Sequence, residues 1–401
     1  MTKMSRPEFI ALIAMMFATI AISIDAMLPA LPEIGAELSP GNVNRAQLVL
    51  TAFVVGLGAG TFVVGPLSDT FGRKPVILAG AAVYIAGAIA AWASQSLEVL
   101  LLSRILQGLG ASAPRIVSIA IMRDLFSGRI MARMMSLAMM IFTIFPAFAP
   151  LIGQGIIALS DWRGIFLAFV LFSAVSMLWL VVRLPETLPR GARRPLRLPQ
   201  MMDAVREMTT HPTVRLSIMV QTLCLGLLFT MLVMVQPVYD VVYDRSEQFP
   251  ALFAIIALIA GSASLLNAAL VVRLGMRRMV IWSLAIQMIW SATLLGLSFA
   301  PLPDPLAFVL FMAWQGSVFF IAGTTLGNLN AIAMEPMGHI AGMAASVIGA
   351  ISTVLAAGIA SAVGQLFDGT VVPLAAALSI MSGIGFLLMR RMEQIEDRLP
   401  V

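Results

Sequence analysis

Residues Gly65 to Lys74 read GPLSDTFGRK, a short polar stretch between two long apolar runs. Gly65 and Gly72 give the backbone freedom that a tight turn between two helices needs. Asp69, Arg73 and Lys74 put three charges in a neighbourhood that otherwise has almost none. Of 401 residues, 60% are hydrophobic and 11% are charged, against about 25% charged in a globular domain. Mean hydropathy is +0.97. A soluble core of this length does not need so much apolar sequence, whereas a lipid-facing surface does.

Outward from that loop, runs of about 20 apolar residues fall near 9–28, 46–67, 75–95, 98–120, 133–159, 163–182, 213–237, 249–271, 279–300, 306–329, 340–366 and 370–389, each long enough to span a bilayer. Twelve spans place both ends of the chain on one side. Assigning Lys and Arg to alternate sides puts twenty on the side of the termini and only Arg45, Arg163 and Arg245 on the other. The positive-inside rule makes the first side cytoplasmic. The expected location is the bacterial inner membrane, multi-pass, with both termini cytoplasmic. The net charge of +5 is then topology rather than a nucleic-acid surface. The first run is too long for a signal-peptide core and contains Asp25, so a retained helix is expected. One cysteine, Cys224, and two isolated histidines, His211 and His339, leave no donor set for a metal. No metal or other cofactor is expected.

Residues 184–212 are the one substantial break, with Pro185, Pro189, Pro195 and Pro199 among arginines. A short amphipathic helix is expected within it at 201–209. It divides the chain into an N-terminal six-helix bundle, 1–183, and a C-terminal one, 213–401, ending in a short tail. The second half echoes the first. Val272-Arg273-Leu274-Gly275-Met276-Arg277-Arg278 follows its second span as Asp69-Thr70-Phe71-Gly72-Arg73-Lys74 follows that of the first, with Val272 at the aspartate position.

Gly-x-Leu-Ser-Asp-x-x-Gly-Arg-Lys between the second and third spans resembles the signature of the major facilitator superfamily of secondary transporters. That resemblance implies an all-α integral membrane fold of twelve helices in two pseudo-symmetric six-helix bundles. It also implies a gating role for the loop (Gly65, Asp69, Gly72, Arg73, Lys74). Asp69 would contact the start of the eleventh span, near 338–342, where a helix dipole favours an anion. Arg73 and Lys74 would hold the loop at the membrane surface. The alternative for Asp69 is a solvated loop acid.

Four further segments bear on mechanism. LLSRILQGLGAS, 101–112, resembles the superfamily's fourth-helix motif through Arg104, Gln107, Gly108 and Gly110. The resemblance links Arg104 to proton coupling and brings Gln107 among candidate substrate contacts. The bland alternative is an interhelical hydrogen-bond post. Arg115 follows eleven residues later, which leaves a net rotation of about 20° and a rise of roughly 16 Å, so both arginines share a helix face. It is either a substrate contact or a positive-inside anchor. Asp25 is the only acid inside a span, with Glu8 and Asp240 counted as terminal. Asp25-Ala-Met-Leu-Pro-Ala-Leu-Pro resembles the end of helix 1 in the Bcr/CflA group of drug:proton antiporters, implying proton coupling and substrate contact. Its alternative is a residue that only shapes the turn at Pro29 and Pro32. Pro146, Pro150 and Gly153 partly match the antiporter motif of exporters, with Ala149 and Gln154 departing from it.

In the second half Asn267, Trp314 and Gln315 are candidate cavity residues, each equally suited to bridging helices. No G-x-x-x-x-G-K-[ST] loop is present, so ATP hydrolysis and enzymatic chemistry are not expected. The resemblance implies a proton-coupled exporter of small amphipathic drugs working by alternating access, with protons, a small molecule and the lipid bilayer as partners and the monomer as the unit. Two arginines against one aspartate point to neutral or anionic substrates over lipophilic cations. The same machinery would serve a metabolite or siderophore exporter, or a proton-independent facilitator.

Overall fold

The computed structural model describes residues 4–193, 195–196 and 198–396. Among them the chain is all-α, with no strand. It separates into two compact units, Met1–Leu198 and Pro199–Val401.

The first unit holds α1 (Arg6–Asp25), α2 (Leu31–Leu38), α3 (Leu48–Phe71), α4 (Arg73–Trp92), α5 (Leu97–Leu125), α6 (Gly128–Leu159) and α7 (Gly164–Arg183). The second holds α8 (Leu198–Thr210), α9 (Pro212–Pro237), α10 (Phe249–Gly261), α11 (Ala263–Leu274), α12 (Met276–Leu297), α13 (Asp304–Met334), α14 (Ala341–Gly364) and α15 (Val372–Glu396). Eleven helical segments among the described residues are long and apolar enough to cross a membrane. The expected fifth span is α6, whose apolar stretch among the described residues is Ile144–Leu159. Every expected span therefore has its helix. Helix α8 is the short segment expected after the proline-rich stretch, and it begins three residues earlier than the sequence suggested.

Local chemistry sets the boundaries. Ser5 caps α1 by accepting the Glu8 N–H at 3.3 Å, with Pro7 in the first turn. Ser96 caps α5 in the same way through Val99. Gly72 separates α3 from α4 at φ 105°, and Gly275 separates α11 from α12 at φ 82°. A side chain would be strained in either conformation. Past Asp25 the chain turns through Leu28–Ala30 into α2, with Pro29 and Pro32 each in the first turn of its element.

Inside a bilayer apolar burial gives helices little drive to associate, so close packing of small residues has to supply it. The α3–α5 seam shows how. A Cβ at Gly108 would overlap the Phe53 carbonyl, and one at Gly56 would overlap the Ile105 carbonyl. The two backbones touch in both directions. Gly108→Val is expected to force this seam apart at a cost of about 1–3 kcal/mol. The readout is a lower thermal transition in detergent, and an unchanged transition would show that the seam tolerates a side chain.

Candidate functional site

The polar interior of the first unit is built around Arg104. Helix α5 carries it into a fully enclosed position. Its Nε donates to the Val49 carbonyl of α3 at 3.1 Å, one terminal nitrogen donates to Gln107 Oε1, and the other donates to the Ser23 carbonyl of α1 at 2.7 Å. The guanidinium carbon lies 4.5 Å from the centre of the Phe53 ring. Ser23 Oγ and Tyr84 Oη of α4 are 2.7 Å apart. Arg104 thus joins α1, α3 and α5, with α4 tied on through Ser23 and Tyr84, and the cation has no carboxylate partner among the described residues.

The acid comes next along α1. Asp25 ends that helix two residues after Ser23 and is 5% exposed. No hydrogen bond or ion pair reaches its carboxylate among the described residues. Gly153 of α6 lies directly against the Ala26 carbonyl, where a Cβ would overlap it. The antiporter-like segment, with Pro146 and Pro150 inside α6, therefore packs on the end of α1 that bears the acid. A buried ionisable group without a partner inside a membrane span is a functional marker. Arg104 and Gln107 come together here, and Asp25 follows two residues after the Ser23 carbonyl that Arg104 binds. Arg115 does not; it is exposed, further along α5.

The 65–74 loop forms a separate cluster at the opposite end of α3. Arg73 donates to Asp69, to Ser68 Oγ at 2.8 Å and to Asp124 at 2.9 Å. Glu186 accepts the Arg73 N–H at 3.0 Å and the Lys74 N–H at 3.1 Å, which caps α4. Lys74 Nζ closes on the Val181 and Leu184 carbonyls of the sixth span's end. The Arg73 side chain is buried, drawn inward by two carboxylates and a hydroxyl. The expected partner of Asp69 at 338–342 includes residues 338, 339 and 341, whose side chains lie outside the described residues. Glu186→Ala removes the cap and is expected to cost about 1–2 kcal/mol, lowering the thermal transition. No change would mean that the amides find another acceptor.

The second unit repeats this cluster with different residues. Arg277 binds Glu335, just past α13, at 2.8 Å, and Glu396 at the end of α15. Its candidate residues make contacts between helices. Trp314 Nε1 donates to Ser291 Oγ at 3.0 Å, and Gln315 Oε1 accepts from Tyr239 at 3.0 Å. Both are fully buried, and Tyr239 packs edge-on against Phe249, Phe308 and Phe311. Gln315 Nε2 has no partner among the described residues. Burial pushes Tyr243, beyond the seventh span, up to about 12, so its hydroxyl stays a donor. Asn267 accepts from Asn328 at 2.7 Å, and Asn328 lies about 20 Å along α13 from Gln315. These candidates do not form one site.

The family model of the Major Facilitator Superfamily matches residues 11–365. The chain belongs to this superfamily. Its similarity to the "Uncharacterized MFS-type transporter YdgK" of Bacillus subtilis is 30% identity, covering 91% of this chain and 90% of that one. With the "Bicyclomycin resistance protein homolog" of Haemophilus influenzae it is 29%, covering 88% and 87%. The structure also superposes on the xylose transporter XylE from E. coli with a TM-score of 0.74 at 13% identity, covering 96% and 97%. That likeness is one of fold.

For a superfamily transporter, several polar residues went unsingled in the sequence. Tyr84 is one of only three tyrosines, and its place inside a span was the available signal. Gln47, two residues before the carbonyl that holds Arg104, is buried with neither amide atom bonded. Glu37 on α2 accepts from Trp162 at 2.7 Å and, with both oxygens, from Arg163. Asp124 and Glu186 carried no local signal.

Proposed function

We propose that this chain is a drug:proton antiporter that exports small amphipathic compounds, neutral or anionic, by alternating access. Asp25 carries the reading. It is buried, lacks a partner, and sits at the end of a helix whose preceding turn is tied to a fixed guanidinium. A carboxylate in that position binds a proton in one state and releases it in the other without breaking an ion pair. Arg104 holds α1, α3 and α5 in register. The relative named for bicyclomycin resistance supports a drug as cargo. The 65–74 cluster serves as the gate on the cytoplasmic side, where the basic residues place both termini. The transporter works as a monomer in the inner membrane, with no catalytic chemistry.

The test is accumulation of a panel of amphipathic antibiotics in cells with and without the gene. Accumulation is expected to fall in expressing cells and to recover when a protonophore dissipates the gradient. No difference with any compound would favour a metabolite or siderophore exporter. A difference that survives the protonophore would favour a facilitator.

A further inference from the structure

Two arginines lie on one face of α5, and their surroundings differ. Arg104 is enclosed, and its guanidinium is spent on two carbonyls, one amide oxygen and an aromatic face. Fully enclosed, it presents no open face to a substrate. Arg115 is exposed, and no hydrogen bond or ion pair reaches its side chain among the described residues.

The exposure of Arg115 is not towards the outward strip of α5. Leu102, Leu106 and Leu109 form that strip, and at 100° per residue they lie roughly opposite both arginines. One turn after Arg115, Ser118 bonds Met16 of α1 at 3.4 Å. One turn before it, Ser112 lies against Gly60 of α3. The face that carries Arg115 is therefore the one turned to α1 and α3. Arg115 lies ten residues, about 15 Å, before the end of α5 at Leu125. Between Glu8 and Asp25 on α1, and before Asp69 on α3, there is no acid to neutralise it.

A cation on the interior-facing side of a membrane helix needs water or an anion. We propose that Arg115 is the specificity-determining residue of the export pathway, binding the carboxylate or a similar planar oxyanion of an amphipathic substrate. The proposal rests on the export function above. The planar guanidinium matches a carboxylate in a two-point contact that lysine does not reproduce. Ile119, exposed one turn further along the same face, is suited to the hydrocarbon part of the same molecule. Arg104 then acts as a fixed part of the bundle and not as a second anion site.

The experiment is exchange in proteoliposomes with aryl carboxylates, each paired with its primary amide. The parent is expected to favour the carboxylate. Arg115→Gln should lower the carboxylate-to-amide selectivity ratio roughly 10- to 100-fold, and Arg115→Lys should recover part of it. Amide exchange by the same preparations shows that the variants are folded. Equal losses for both members of each pair would overturn the proposal, as an anchoring arginine would give that result. So would an unchanged ratio, or a parent that exchanges only the amides. Exchange of neither member by the parent would overturn the drug-export reading itself, and this proposal with it.

Discussion

Asp25→Asn is expected to abolish uphill export while downhill exchange of the same compound remains measurable. The substitution keeps the size of the side chain and removes its proton site. Since no hydrogen bond or ion pair holds the carboxylate among the described residues, the change breaks no described contact. A fold-level explanation of the loss is therefore weak. The pH dependence should vanish with the coupling. Parent vesicles should export faster as the outer side is made more acidic, because protons then flow inward through Asp25, and the variant should not respond. The measurement is gradient-driven flux beside counterflow in one preparation. Uphill export by Asp25→Asn would place the coupling carboxylate elsewhere.

The second large effect concerns Arg104, and here the expected loss is structural. Arg104→Leu leaves the Ser23 and Val49 carbonyls and Gln107 Oε1 without their donor in a buried setting. An unsatisfied buried acceptor costs about 1–3 kcal/mol, and breaking a buried charged network typically costs about 3–5 kcal/mol. A fall of roughly 10 °C in the thermal transition is the corresponding scale. Arg104→Lys should be intermediate, because one ammonium does not span three acceptors on two other helices and its own. If Arg104 acts only as a charge in coupling, lysine would restore stability and transport together. If Arg104→Leu were as stable as the parent, the network would not hold the four helices.

Much of this was legible before any coordinates. Span positions follow from apolar length, and Gly72 and Gly275 marked both turns because a positive φ favours glycine. The spacing of Arg104 and Arg115 put them on one face, which the contacts of Ser112 and Ser118 support. What spacing could not reveal was that one arginine is spent and the other free. That depends on carbonyls of α1 and α3, 81 and 55 residues away. The burial of Arg73 was illegible for a related reason: the partner that draws it inward, Asp124, is 51 residues distant. The aromatic stretch around Trp314 suited substrate stacking equally well on sequence. Tyr239, from a separate helix, bonds Gln315 and packs on Phe308 and Phe311, contacts that spacing could not reveal.

Proton release on adding substrate, in detergent, tests the central claim most directly. The parent should release protons when an exported compound is added, and Asp25→Asn should release none. Release that persists in Asp25→Asn would contradict the assignment of Asp25, and no release from the parent with any exported compound would contradict antiport.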